Sequence, residues 1–321
     1  MYRLLLIAYF KIGDILKKLL QYYYNFNTDI LIKRKNNIFE YKNNIYLIDK
    51  INKIDINIIK ETQKYNFFFK IVPNRYNLNI TEYNKEKYVL LRIEIKNNRV
   101  ICLNDIFFIS SLNIIINIEK NNYNELWKRK IDYFEDYLLY NNKLNEDINW
   151  NYYIGIAENA INYCKNINYN EIKYGIVYNR FYNIKTLYDL LNPINTQYGP
   201  VANSISEYIK YLFFCEGKEI NILDLLKINL SFMDYKLLIS RLLFPTYFFD
   251  IFKDNLNYNK YKIIESKTNN YIKYVKRIIM TIKKRHNNMP LIEWINNWLI
   301  NFYYLFYFRY FTNQYFLNSI F

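Results

Sequence analysis

Carboxylates are the side chains of this 321-residue chain that could move a proton or hold a metal ion, and three stand out by position. Asp189 lies in a polar loop, while Glu158 and Glu207 lie in stretches with helical apolar spacing. Together they could form an acid/base set; the competing role for Glu158 and Glu207 is an ion pair or helix-end contact. The stretch Tyr174 to Lys210 is where chemistry is expected to concentrate. It reads as a short strand, a loop carrying Tyr178, Asn179, Arg180 and Phe181, an Asn-Pro break, and a helix starting near Ser204. An arginine cannot take a proton from a substrate, and neither Asn179 nor Gly199 can grip magnesium as a carboxylate would. The single histidine, His286, is the only partner available to a Ser-His or Cys-His nucleophile pair. Its setting, after Lys283-Lys284-Arg285 and before Asn287, Asn288 and Pro290, predicts an exposed helix end. Cys102, Cys164 and Cys215 form no Cys-x-x-Cys pair, which points to a reducing compartment and away from zinc or a disulfide frame.

The elements that must position these residues follow from apolar spacing and turn residues. Met1 to Tyr24 predicts an amphipathic helix; Lys11, Asp14, Lys17 and Lys18 interrupt any signal-peptide core. Strands are expected at Ile30–Arg34, Ile38–Tyr41 and Ile45–Ile48, with Asn pairs in the turns because asparagine tolerates positive φ. A helix capped by Asp55 should run to about Lys64, followed by strands Phe67–Val72 and Lys87–Ile95. Apolar runs cover Val100–Phe108 and Leu112–Ile118, and the pattern then turns helical. Helices are predicted from Trp127 to Leu138, Tyr152 to Lys165, Ser204 to Cys215, Ile220 to Asn229, Met233 to Leu243, Tyr247 to Asn255, Tyr261 to Lys284 and Leu291 to Phe306. In the aromatic end from Trp294 to Phe321, Asn296, Asn297, Asn301, Arg309 and Asn313 break any run able to span a bilayer.

The formal charge of +15 suggests a nucleic-acid or acidic-membrane partner. An excess of Lys, Asn, Ile and Tyr over Gly, Pro, Ala and His also fits pressure from an AT-rich genome on a solvated surface. Apolar residues at 52% and aromatics at 20% place the chain among folded proteins, with two lobes or domains expected at this length.

Several phrases resemble the spore-coat proteins of the YutH/CotS type: LWKRKIDYFEDYL (Leu126 to Leu138), WNYYIGIAENAINY (Trp150 to Tyr163), SISEYIKYLF (Ser204 to Phe213), SRLLFPTYFFD (Ser240 to Asp250) and KKRHNNMPLIEWI (Lys283 to Ile295). The resemblance covers roughly Ile30 to Trp298 and implies an α+β, two-lobed, protein-kinase-like fold similar to aminoglycoside and choline phosphotransferases. The small N-terminal lobe would be β-rich with one helix, and the larger C-terminal lobe mainly α-helical. It implies an N-terminal lobe over 28–97 and a helical lobe over 98–298; outside it, residue spacing gives a terminal amphipathic helix over 1–27 and an aromatic tail over 299–321.

The resemblance also fixes where active relatives keep their parts. Tyr178-Asn179-Arg180-Phe181 stands where they carry His-Gly-Asp, so Arg180 replaces the base, and Lys185 falls where a metal-binding Asn belongs. Gln197, Tyr198, Gly199 and Pro200 supply no second metal-binding carboxylate. Asp49 takes the place of the phosphate-pairing lysine unless Lys50 swings in, with Glu61 as a candidate helix partner. None of the five glycines (Gly13, Gly155, Gly175, Gly199, Gly217) lies between Ile30 and Ile95, where a nucleotide-covering loop would be. Arg241 reads as a helix-bridging structural residue.

These expectations give a non-enzymatic pseudokinase without metal or cofactor, acting as a structural or assembly component of the spore coat. Its partners would be other coat or spore-surface proteins, with no specific nucleic acid. It would be made in the mother-cell cytoplasm and would touch membrane only through terminal helices that do not span it. Two alternatives stand beside it. One is a small-molecule phosphotransferase with a divergent active site, using Asp189 as an acid. The other is a basic membrane- or nucleic-acid-binding protein built on the terminal helices and Lys273 to Arg285.

Overall fold

The computed structural model describes residues 16–35, 37–51, 56–93, 98–112, 114, 122–140, 149–253 and 258–286. Residues 16–24 are helical (α1) and lead into an antiparallel sheet, β1 (Ile32–Lys35), β2 (Ile38–Tyr41) and β3 (Asn44–Lys50). Lys42 and Asn43 take positive φ (47° and 63°) at the β2–β3 turn, the conformation asparagine tolerates. Helix α2 (Ile56–Thr62) follows, then β4 (Lys70–Ile71), β5 (Thr81–Tyr83) and β6 (Glu86–Ile93). The order across the sheet is β1-β2-β3-β6-β4, with β5 also paired to β6 through a turn where Asn84 and Lys85 have positive φ.

Alternation along β3 and β6 gives the sheet two faces. One face carries Phe39, Tyr41, Tyr46, Ile48, Tyr88 and Leu90, and it clusters with Leu19, Leu20, Tyr24 and Phe26 from α1 and its exit. Phe26 stacks on Tyr41 with centroids 4.5 Å apart. Each such fully buried side chain contributes about 1.5–3 kcal/mol, so α1 is an integral cover of the sheet. Leu47, Asp49, Val89 and Leu91 point to the opposite face.

The larger part is helical. It comprises α3 (Leu103–Ser110), α4 (Tyr123–Tyr140), α5 (Trp150–Cys164), the hairpin strands β7 (Tyr174–Val177) and β8 (Gln197–Pro200) with α6 (Leu187–Leu191) between them, α7 (Val201–Tyr211), α8 (Ile222–Lys227) and α9 (Phe232–Leu243). Every residue of α7 is buried, the mark of a helix enclosed on all sides. It packs against α9, α3 and β7, while α5 lies on α9 and α4. Gly175 permits the close approach of β7 to α3: a Cβ there would sit 1.9 Å from the Ser110 carbonyl oxygen. A small antiparallel N-terminal sheet followed by a larger helical part is the α+β kinase-like architecture expected from the sequence.

Particular boundaries differ from expectation. The predicted strand Phe67–Val72 contracts to Lys70–Ile71, because Phe68 and Phe69 are buried from a turn rather than laddered in the sheet. Gln197–Pro200 is a strand paired to β7, so the helix expected near Ser204 begins at Val201. The helix α6 was not anticipated. Asp55, the first half of the N-terminal helix, Leu291–Phe306 and the aromatic tail lie outside the described residues.

By compactness the chain divides into Met1–Pro245 and Thr246–Phe321. The second unit contains α10 (Thr246–Lys253) packed on the long α11 (Tyr258–Arg285). Tyr261, Tyr271, Tyr274, Val275, Ile278 and Ile282 line the buried side of α11, and His286 ends it, its backbone N–H donating to the Ile282 carbonyl. Among the described residues no helix is long and apolar enough to cross a membrane.

Candidate functional site

The loop leaving β7 is fixed by two inward aromatic rings. Tyr178 and Phe181 are both 0% exposed, their centroids 5.6 Å apart, and Phe181 also meets Tyr208 of α7. The Tyr178 backbone N–H donates to Ser204 Oγ at 3.0 Å, and its hydroxyl to the Leu190 carbonyl, so α7 and α6 hold the start of the loop. Burial pushes the Tyr178 hydroxyl well above its ordinary pKa. Between the rings, Asn179 and Arg180 are turned outward. Asn179 Nδ2 donates to Gln197 Oε1 at 2.7 Å, and Gln197 Nε2 donates back to Asn179 Oδ1, pinning the loop to the start of β8.

Arg180 Nη1 donates to its neighbour's carbonyl and to Glu207 Oε2 at 2.9 Å. Glu207 Oε1 accepts from Arg241 Nη2 at 3.3 Å and has Lys210 Nζ at 4.0 Å. Arg241 also donates through Nε to Ser206 Oγ and lies over the Tyr123 ring, 5.1 Å from its centroid. It bridges α9, α7 and α4, the structural role read from the sequence. Lys210, 2% exposed, donates to the Phe244 carbonyl at 2.9 Å. Burial drives its pKa down to about 7 against the opposing pull of Glu207, with Arg241, Arg180 and Lys130 adding to the fall.

The remaining carboxylates of this region are committed elsewhere. Asp189 Oδ2 accepts from the Lys185 and Thr186 backbone N–H groups and from Thr186 Oγ1, capping α6. That role replaces the acid expected of it: a carboxylate oxygen taking three donors is a turn anchor. The turn it shapes is laced to the strand–helix connection. Leu187 N–H donates to the Arg99 carbonyl at 2.8 Å and Ile101 N–H to the Lys185 carbonyl at 3.3 Å. Lys185 reaches Glu216 at 4.0 Å, and Glu216 also takes the Tyr211 hydroxyl and Lys218, so it is held below the usual carboxylate range. Glu158 is exposed on α5 and is not gathered into this group.

In the sheet, Asp49 is held by the Lys50 backbone N–H at 2.8 Å and by Asn37, and burial raises its pKa. Lys50 points to the other face and pairs with Glu86 at 2.6 Å, while Glu61 pairs at 2.5 Å with Lys64 in the turn that follows α2. The lysine–helix-glutamate pair that the resemblance placed here is therefore not formed by these residues. The exposed Cys102 and Cys215 and the buried Cys164 are not joined in disulfides.

A kinase-like fold implies magnesium between protein and nucleotide phosphates. Among the described residues this loop does not fit it: its single carboxylate, Asp189, is taken up by three donors in the α6 cap. Where the resemblance puts the base and a metal ligand, the loop carries Arg180 and Lys185. Sequence reasoning located Tyr178, Asn179, Arg180, Phe181, Lys185 and Asp49 but missed Lys210, Ser204 and the Asn179–Gln197 pair. Glu207 and Lys210 sit at i, i+3, the spacing of an ordinary helix-surface pair, and no local signal marks them as buried.

No family model matches the chain, and no curated protein matches it in sequence. In fold it is similar to an aminoglycoside phosphotransferase from Alicyclobacillus acidocaldarius. That likeness has a TM-score of 0.56 and 10% identity and covers 80% of this chain and 94% of the other. A spectinomycin phosphotransferase (TM-score 0.49, 11% identity, covering 82% and 93%) and a microcompartment-associated aminopropanol kinase (TM-score 0.49, 10% identity, covering 84% and 98%) are more distant in fold. The expectation of a non-enzyme, reached by subtracting familiar residues, is corrected by the first likeness: the scaffold retained over most of the chain is that of a phosphotransferase. The chain has the aminoglycoside phosphotransferase-like, kinase-like fold.

Proposed function

We propose that the chain is a small-molecule phosphotransferase with a divergent active site. The observation that carries this reading is the retained hairpin and loop. β7, the anchored turn Tyr178–Lys185, β8 and α7 stand in the expected order within a phosphotransferase-like scaffold, and the loop's outward charge is cationic. Phosphoryl transfer depends on positioning and on neutralising phosphate charge rather than on covalent chemistry by the protein. Arginine and lysine can supply both where carboxylate-held metal is missing.

The test is ADP release from ATP across a panel of small amino alcohols and amino sugars, with product phosphorylation read by 31P NMR. Thermal shift accompanies it, since a ligand at a hundred times its Kd adds about 2.7 kcal/mol. Absence of both turnover and shift at millimolar ATP, with and without magnesium, would sink the reading.

The phrases resembling spore-coat proteins supply α4, α5, α7 and the α9–α10 stretch, and they support a setting for this activity at the surface of a bacterial spore beside other coat proteins. A tagged copy should then collect around the forespore. Diffuse signal in vegetative cells with none on the forespore counts against that setting.

A further inference from the structure

The charges behind the loop are ordered from inside to outside. Glu207 is 1% exposed, Lys210 2%, Arg241 13% and Arg180 30%. One carboxylate thus faces two guanidinium groups and a buried amine, and its two oxygens are divided between the arginine of α9 and the arginine of the loop. Of these four residues Arg180 reaches solvent most. Glu207 is itself enclosed in a helix buried on every side, and its ion pair sets where the Arg180 guanidinium stands. Lys185, 65% exposed on the same loop, adds a second cation. The neighbouring carboxylates that could recruit a divalent ion are spent, Asp189 on the α6 cap and Glu216 on Tyr211 and its lysines.

A planar guanidinium fork matches phosphate oxygens in geometry and charge, whereas a divalent cation beside Arg180 and Lys185 would meet like charge and, among the described residues of this loop and its flank, only carboxylates already engaged. We propose that this site takes up the phosphate of its ligand directly on Arg180, with no divalent ion between protein and phosphate, and that Glu207 is the positioning residue for that guanidinium. The proposal rests on the phosphotransferase reading of the same loop but names a different way of holding phosphate from the one its fold implies.

The probes are inorganic pyrophosphate and ADP, titrated into the full chain and followed by 31P NMR line broadening and calorimetry. One series contains EDTA and a parallel one magnesium. The expected result is binding of equal or greater strength in EDTA, weakened at least tenfold by Arg180→Gln and partly restored by Arg180→Lys. Glu207→Gln should weaken it as well while circular dichroism stays native. Lys128→Gln, on the exposed face of α4, should leave it unchanged. Binding that appears only with magnesium, binding that survives Arg180→Gln, or no binding of either probe overturns the proposal. The magnesium arm uses the unaltered protein, so it decides the matter even where a variant fails to fold. Magnesium-dependent transfer that persists in Arg180→Gln would refute this inference and leave the proposed activity standing. Metal-free binding on Arg180 without turnover on any acceptor would do the reverse.

Discussion

Lys210 gives the sharpest quantitative expectation. Its amine is enclosed by Glu207 and Lys210's own turn of α7, by Arg241 of α9, by Arg180 of the loop and by Lys130 of α4, and it donates to the Phe244 carbonyl. Its pKa falls from 10.5 to about 7, which at about 1.4 kcal/mol per pH unit amounts to about 5 kcal/mol. A folded amine with a depressed pKa costs stability in full below pH 7, where both states carry the proton. Between pH 7 and 10.5 the unfolded chain binds more protons than the folded one, so stability rises with pH. Wild type should therefore gain about 2–3 kcal/mol between pH 7 and 9, below the range in which its raised tyrosines titrate. Lys210→Met removes the charge and leaves the Phe244 carbonyl without its donor, a loss of about 1–3 kcal/mol. The variant should be about 2–4 kcal/mol more stable than wild type at pH 6, with the difference shrinking towards zero by pH 9. Urea unfolding followed by tryptophan fluorescence at pH 6, 7, 8 and 9 measures both curves. A wild-type midpoint that is flat or falls over this interval, or a methionine variant with the same slope, refutes the reasoning.

Other substitutions test the geometry directly. Gly175→Ala places a Cβ 1.9 Å from the Ser110 carbonyl oxygen, and because that atom is backbone the strands and α3 must separate. A loss of about 1–3 kcal/mol or more in urea unfolding is expected, and an unchanged midpoint would deny the close approach. Asp189→Asn weakens the α6 cap by about 1 kcal/mol and should speed proteolytic nicking near Lys185, with any phosphate transfer reduced only in proportion to folded protein. Lys50→Ala removes a surface pair with Glu86 and should leave ADP binding as it was; a tenfold loss would restore Lys50 to the phosphate site.

Much of the scaffold is legible in one dimension because its signals are local. Asparagines mark turns at positive φ, as at Asn43, Asn77 and Asn84, and period-3.6 apolar spacing finds α4, α5, α9 and α11 within a few residues. The places where reading fails are those where distant partners decide. Phe67 to Val72 has strand composition but is captured by burial of Phe68 and Phe69, and Gln197–Pro200 becomes a strand only because β7 is there to pair with it. Residue type, at the positions the resemblance assigns, could say that Arg180 was no base and that Lys185 was no metal ligand. It could not say that Arg180 is held by Glu207 across 27 residues, that Arg241 reaches the same carboxylate across 34, or that Lys210 is sealed among them. The sequence by itself determined the element order and the residue types at the loop, since propensity, periodicity and turn chemistry act between near neighbours. Tertiary structure alone decided which charges are buried and which is left facing solvent, because desolvation and ion pairing depend on what the rest of the chain brings into contact.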